Sequence, residues 1–156
     1  SCPDSALQHH PQPMIRTAIA LAALLCITPA QAADQRACIA KAIYWEARGL
    51  SENGQRAVAE VIWNRVNHPA FPKTPCAVVF QRTGATCQFS WTCTSLRHAQ
   101  PPRNAAWEAA WRIAGEPPSS VTNGALFFHA KRYRTRWRHL VEVAEVDGHV
   151  FYSDRR

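Results

Sequence analysis

Several catalytic signatures are missing from this chain. No H-E-x-x-H or C-x-x-C pattern offers a metal-ligand pair, and no G-x-S-x-G places a serine on a nucleophile elbow. His129, His139 and His149 recur at intervals of ten, but that spacing on hairpin strands does not by itself gather three imidazoles around an ion. We therefore expect no metal and no cofactor, and read His129 and His149 as residues that orient loops or line a cleft. Apolar runs are short as well. Ala18–Ile27 is uninterrupted but falls well below the ~20 residues that cross a bilayer. No internal repeat, low-complexity tract or linker divides the sequence, so a single domain is expected. Acids are scarce, 11 Asp and Glu against 18 Lys and Arg, which leaves a net charge of +7.

What is present at the N-terminal end reads as an export signal. Met14-Ile15-Arg16-Thr17 is a short basic start, Ala18–Ile27 an apolar core, and Ala30-Gln31-Ala32 an A-x-A cleavage pattern. Residues 1–13 precede the only methionine and read as an upstream extension, residues 14–32 as a signal peptide, and residues 33–156 as the mature domain. This places the protein in the periplasm or outside the cell, with no membrane anchor once the leader is removed. Four cysteines remain in 33–156: Cys38, Cys76, Cys87 and Cys93. An even count in an exported domain favours two disulfides over redox or metal chemistry, and argues against the free thiol that a Cys–His nucleophile needs. Of the three possible connectivities, the short Cys87–Cys93 loop points to those two as partners, leaving Cys38 with Cys76.

The mature domain keeps the +7 charge, because the leader and extension remove one base (Arg16) and one acid (Asp4). Lys131, Arg132, Arg134, Arg136 and Arg138 lie in one short stretch. Such a patch suits polyanions. Outside the cytoplasm, the acidic polymers of the wall are a better match than nucleic acid, which we do not expect as a partner.

Hydrophobic periodicity gives helices first and strands last. Arg36–Arg48 reads as an amphipathic helix stopped by Gly49 in a left-handed C′ position. Gly54–Asn67 follows as a second helix packed through Val58, Val61, Ile62 and Val66. Pro69, Pro72 and Pro75 impose a loop; Cys76–Gln81 is a short apolar piece of undecided type, and Arg82–Arg103 is irregular. Asn104 caps a third helix to Ala114, with Trp107, Ala110, Trp111 and Ala114 on one face and Gly115 as its stop. Gly124–Ala130 reads as a buried strand. Leu140–Val146 and His149–Tyr152 form a hairpin about Asp147-Gly148. The whole is an α+β domain with a small C-terminal antiparallel sheet.

Within the first helix, Glu46 stands seven, four and three residues beyond Ile39, Ala42 and Ile43. These offsets put a carboxylate on the apolar stripe beside Tyr44 and Trp45. Lost hydration there raises the pKa, the state required of a general acid at neutral pH. The alternative is a side chain that reaches the rim and pairs with Arg48. Glu52 and Glu60 are the nearest other acids; the first is placed in a turn and the second falls off the Val58/Val61/Ile62 face.

Several stretches together resemble the SleB/CwlJ-type cell wall hydrolases named for spore cortex-lytic enzymes. They are Ile43-Tyr44-Trp45-Glu46-Ala47-Arg48-Gly49, Gly54-Gln55 with Ala57-Val58-Ala59, Val61-Ile62-Trp63-Asn64-Arg65-Val66 and Pro69-Ala70-Phe71-Pro72. Cys87-Gln88-Phe89-Ser90-Trp91 with Cys93, Gly124-Ala125-Leu126-Phe127-Phe128-His129-Ala130 and Gly148-His149-Val150-Phe151-Tyr152 complete the series in order, over about residues 38–152. The resemblance implies a mainly helical, lysozyme-like fold. It also implies cleavage of peptidoglycan glycan strands, in the manner of a lytic transglycosylase, with Glu46 as the catalytic carboxylate. Gln88 and Ser90 are then candidate hydrogen-bonding partners for the sugar, Tyr44 or Trp91 a stacking surface, and His129 a further cleft residue. A monomer acting on glycan strands is expected. Two departures stand out: Leu50 follows E-A-R-G where an acid is expected, and Thr94-Ser95 follow Cys93 where Asp-Gly is more usual. They leave open a non-catalytic peptidoglycan- or polyanion-binding module of the same fold.

Overall fold

The computed structural model describes residues 29–133, 135 and 137–154. The expected extension and most of the expected leader lie outside these residues. Of the leader, only Pro29–Ala32 is described, as the first turn of α1 (Pro29–Ala47). That helix is central: α2 (Glu52–Asn67), the short α3 (Pro75–Val79) and α4 (Ala105–Ala114) all pack against it. Its apolar side, Ile39, Ala40, Ala42 and Ile43, is fully buried, as the periodicity requires.

The helix ends differ from expectation in informative ways. α1 stops at Ala47, and Gly49 does not take the left-handed conformation, unlike Gly84, Gly124 and Gly148. Leu50 N–H instead donates to the Ala47 carbonyl at 2.9 Å, a tight turn that needs no residue of positive φ. α2 starts two residues earlier than read, because Ser51 is its N-cap and its hydroxyl accepts from Gly54 N–H. Glu52 is therefore the first residue of the helix rather than part of a turn, ion-paired to Arg56 and Arg112. The undecided apolar piece is α3, with Thr74 accepting from Ala77 N–H at its start. In α4, Asn104 Oδ1 accepts from Trp107 N–H at 2.9 Å, and Gly115 is the C-cap. The buried face of α4 is turned toward Ala110, Ile113 and Ala114, leaving Trp107 and Trp111 half-buried. Arg36 from α1 crosses here, donating twice to the Trp111 carbonyl at 3.0 and 2.7 Å.

Between α3 and α4, a two-residue hairpin of β1 (Arg82–Thr83) and β2 (Thr86–Cys87) leads into single turns of tighter helix at Ser90–Cys93 and Ser95–Arg97. The disulfides pair as expected. Cys38–Cys76 ties α1 to α3, and Cys87–Cys93 closes the segment after β2. The C-terminal sheet has the order β3-β5-β4, all antiparallel, from β3 (Phe127–Ala130), β4 (Leu140–Val146) and β5 (His149–Asp154). Asp147 (φ 48°) and Gly148 (φ 71°) make the tight turn. β4 does not alternate cleanly: a bulge between Glu142 and Ala144 shifts its register. The shift lets Val143, Ala144 and Val146 all pack on the second core cluster, beside Phe151. β3 is shorter than expected because Gly124 (φ 78°) turns the chain before it. Leu126 N–H still reaches the Tyr152 carbonyl at 2.8 Å. Among the described residues, no helix is long and apolar enough to cross a membrane.

Candidate active site

The end of α1, the segment Thr86–Ser90, β3 and the loop after β3 surround a cavity of about 570 Å³. Glu46 enters it from the last turn of α1. No hydrogen bond or ion pair holds its carboxylate among the described residues. Arg48, the alternative partner, is spent elsewhere: its guanidinium lies over the rings of Tyr44 and Trp45, at 5.0 and 5.3 Å. Burial therefore acts unopposed, and the Glu46 pKa is raised. No other carboxylate belongs to the described lining.

Gln88, Ser90 and His129 line the same cavity, so the structure brings them together with Glu46. Gln88 and Ser90 are carried by the Cys87–Cys93 segment, and Cys87 itself is part of the wall. His129 is held on three sides. Its Nδ1 faces the Ala130 carbonyl at 2.9 Å, so that nitrogen carries the proton. Nε2 lies 2.7 Å from the Thr135 hydroxyl and 3.2 Å from the Tyr152 hydroxyl, and its single lone pair accepts from the nearer of the two. The ring stacks on Tyr152 with centroids 5.4 Å apart.

Two expected contacts are corrected. Tyr44 and Trp91 are absent from the lining and belong to the main core, 5% and 4% exposed. Tyr44 packs edge-on against Trp45 and Trp107, and Trp91 against Phe80, so neither offers a free face. The aromatic lining is instead Trp45, Phe89, Phe127, Phe128, Tyr133 and Trp137. Arg65 was also missed, although it stands three and four residues after Ile62 and Val61, the spacing that singled out Glu46. Glu60, read as falling off the Val58/Val61/Ile62 face, is buried at 2% exposure because the Ser119–Thr122 loop packs beside it and donates to its carboxylate.

Two described residues of the basic stretch have different surroundings. Lys131 pairs with Glu145 at 2.8 Å, whereas Arg132 lies over the Tyr133 ring and lines the cavity. Arg134 and Arg136 lie outside the described residues. Among the described residues, no group of His, Cys, Asp and Glu is placed to hold a metal ion.

Comparison with known proteins supplies the family. The pattern described as Cell Wall Hydrolase matches residues 49–152. The chain belongs to the cell wall hydrolase family. The match begins just after Glu46 and takes in all the other candidate residues except Tyr44 and Cys38. This chain is 49% identical over 114 residues to the spore cortex-lytic enzyme of Bacillus subtilis (strain 168), covering 72% of this chain and 35% of that protein. It is 51% identical over 114 residues to the spore cortex-lytic enzyme of Halalkalibacterium halodurans, covering 72% and 33%. The chain thus spans about a third of the length of these curated relatives. Among solved structures, the catalytic domain of the Bacillus cereus SleB protein superposes with a TM-score of 0.60 at 27% identity, covering 78% of this chain and 91% of that one. The catalytic domain of the germination-specific lytic transglycosylase SleB from Bacillus anthracis gives 0.59 at 27% identity, covering 77% and 94%. The chain has the mainly helical, lysozyme-like fold that the resemblance implied.

Proposed function

We propose that this protein is an exported peptidoglycan hydrolase that cleaves the glycan strand between N-acetylmuramic acid and N-acetylglucosamine, as a lytic transglycosylase with Glu46 as its one catalytic carboxylate. The observation that carries this reading is the solitary acid: Glu46 is the only carboxylate in the described lining, and burial favours its protonated form. Ordinary glycosidases use two carboxyl groups flanking the scissile bond. A lytic transglycosylase needs one, because the substrate supplies its own nucleophile. The relative from Bacillus anthracis described as a lytic transglycosylase supports the same choice.

Protonated Glu46 donates to the glycosidic oxygen, and the bond to the muramic anomeric carbon breaks as that carbon takes on oxocarbenium character. The departing N-acetylglucosamine leaves with the proton as its hydroxyl hydrogen. The Glu46 carboxylate so formed removes the proton from the C6 hydroxyl of the same muramic residue. The C6 oxygen then bonds to the anomeric carbon and closes a 1,6-anhydro ring, and Glu46 is again protonated for the next cycle. Gln88 and Ser90, which line the cavity with Glu46, hold the sugar in this reading, with Trp45 or Trp137 as stacking surface. The expected leader and the two disulfides support export.

The experiment is digestion of purified peptidoglycan by the oxidised protein and by Glu46→Gln, with products read by mass spectrometry. Anhydro-muropeptides, one water lighter than hydrolytic products, formed only by the wild type confirm the reading. Reducing-end products assign hydrolysis and call for a second acid. Binding without Glu46-dependent cleavage assigns the wall-binding module.

A further inference from the structure

α2 carries a buried cation without a counter-ion. Arg65 is 3% exposed, and no carboxylate pairs with it among the described residues. Its Nε donates to the Leu126 carbonyl at 2.6 Å, while Nη1 is enclosed with no partner. The rings of Phe71, Phe89 and Phe127 stand 5.3, 5.6 and 5.4 Å from the guanidinium carbon. These rings offset part of the lost hydration. Burial still lowers the guanidinium pKa to about 10, which leaves it charged at neutral pH. Withdrawing an ion from water is costly unless an opposite charge compensates.

Among the described residues, no carboxylate supplies the compensating charge. Arg65 and Glu46 line the same cavity, yet burial alone moves each pKa and neither contributes to the other's shift. A second enclosed donor without an acceptor, Trp45 Nε1, belongs to the same lining. Arg65 thus sets a positive charge beside the cleft, and two enclosed donors of the lining residues, Arg65 Nη1 and Trp45 Nε1, stand without acceptors. Such a surface selects an occupant that brings acceptors and negative charge.

Building on the glycan-strand reading above, we propose that Arg65 is a specificity-determining residue whose charge recognises the carboxyl end of the lactyl substituent on muramic acid. That substituent is what separates muramic acid from N-acetylglucosamine, so a cation reading it fixes which of the two sugars lies over Glu46. In strands stripped of peptide the group is a carboxylate. In stem-bearing strands the same carbon is an amide carbonyl, still an acceptor.

The test uses the oxidised protein carrying Glu46→Gln, so that binding is read without turnover. The ligands are a stripped glycan tetrasaccharide with free lactyl carboxylates and the same tetrasaccharide converted to methylamides. With Arg65 intact, the carboxylate form binds about tenfold tighter than the methylamide. Arg65→Gln, which keeps a donor for the Leu126 carbonyl, brings the two affinities together, and Arg65→Lys retains most of the preference. An unchanged ratio in Arg65→Gln overturns the proposal, since a merely structural arginine would weaken both ligands alike. So does an equal affinity for the two ligands with Arg65 in place. Failure of the oligosaccharides to bind at all, with no cleavage of peptidoglycan by the wild type, overturns the glycan-strand reading itself.

Discussion

Thr122 donates to the buried carboxylate of Glu60 from both its hydroxyl, at 2.6 Å, and its backbone N–H, at 3.2 Å. Val121 N–H and the Ser119 hydroxyl add bonds at 2.8 and 3.0 Å. With its oxygens so occupied, Glu60 is a structural latch between α2 and the chain leading into β3. It lies outside the described cavity lining, which leaves Glu46 without a second acid.

Glu60→Ala removes the acceptor from four buried or half-buried donors. Hydrogen bonds to an ionised group contribute roughly 1.5–3 kcal/mol each, and donors left unsatisfied add to the loss. We expect a fall in stability of about 3 kcal/mol or more by urea denaturation, with anhydro products still formed by the molecules that remain folded. A change in product type instead of stability would return Glu60 to the list of catalytic acids.

Glu46 carries its own stability signature. Its folded-state pKa is raised by burial, so the folded protein holds this proton more tightly than the unfolded chain. The associated stability is fully present below the ordinary carboxylate pKa and is lost as pH rises through the raised folded value. Glu46→Gln has no charge to bury. Thermal unfolding should therefore show the variant melting above the wild type at alkaline pH, the gap closing as pH falls below about 4. Cleavage should drop by at least about a hundredfold in the same variant. The wild type's activity should fall as pH rises through the raised pKa, because the general acid is then deprotonated.

The place of Glu46 on an apolar stripe was legible in the sequence because helical spacing relates a residue only to its own helix. Glu46 shares a stripe with Ile39, Ala42 and Ile43, and the asymmetry is visible without knowing what packs there. Caps and turns were legible for the same local reason, as with Asn104 on α4 and Asp147-Gly148 in the hairpin. What failed were judgements that depend on distant segments. Trp91 sits in a polar stretch and looked available, but Phe80 and the helices close over it. The partners of Glu60 were not legible because nothing local announces the Ser119–Thr122 loop on its side of α2. Arg65 was overlooked although the Glu46 argument applies to it unchanged, since arginine is ordinarily read as a surface residue.

The two disulfides should separate stability from activity. In the chain-entropy account, closing the long Cys38–Cys76 loop stabilises by about 4 kcal/mol, and the short Cys87–Cys93 loop by about 2 kcal/mol. The short bridge, however, constrains the wall that carries Gln88 and Ser90. The Cys38→Ser/Cys76→Ser pair should give the larger drop in melting temperature. The Cys87→Ser/Cys93→Ser pair should give the larger loss of cleavage per folded molecule, measured under conditions where both variants are native.

The aromatic residues allow a sharper division of labour to be tested, between Trp137 in the cleft and Trp91 in the core. Trp137 sits edge-on to His129 and Tyr152, with centroids 5.3 Å away in each case, and lines the cavity. Its apolar face can meet a sugar ring without displacing any core contact. Trp137→Ala should weaken glycan binding by about tenfold, in line with the energies of aromatic contacts, while shifting the melting temperature little. Trp91→Ala should cost about 3–5 kcal/mol of stability, as large-to-small changes in a packed interior do, and leave binding per folded molecule close to that of the wild type. The measurement is a paired one: tetrasaccharide affinity in the Glu46→Gln background and urea midpoint for each variant. If Trp91→Ala is the one that loses the glycan while its urea midpoint holds, the cleft is bounded by the Cys87–Cys93 loop rather than by the chain after β3, and the stacking surface must be reassigned.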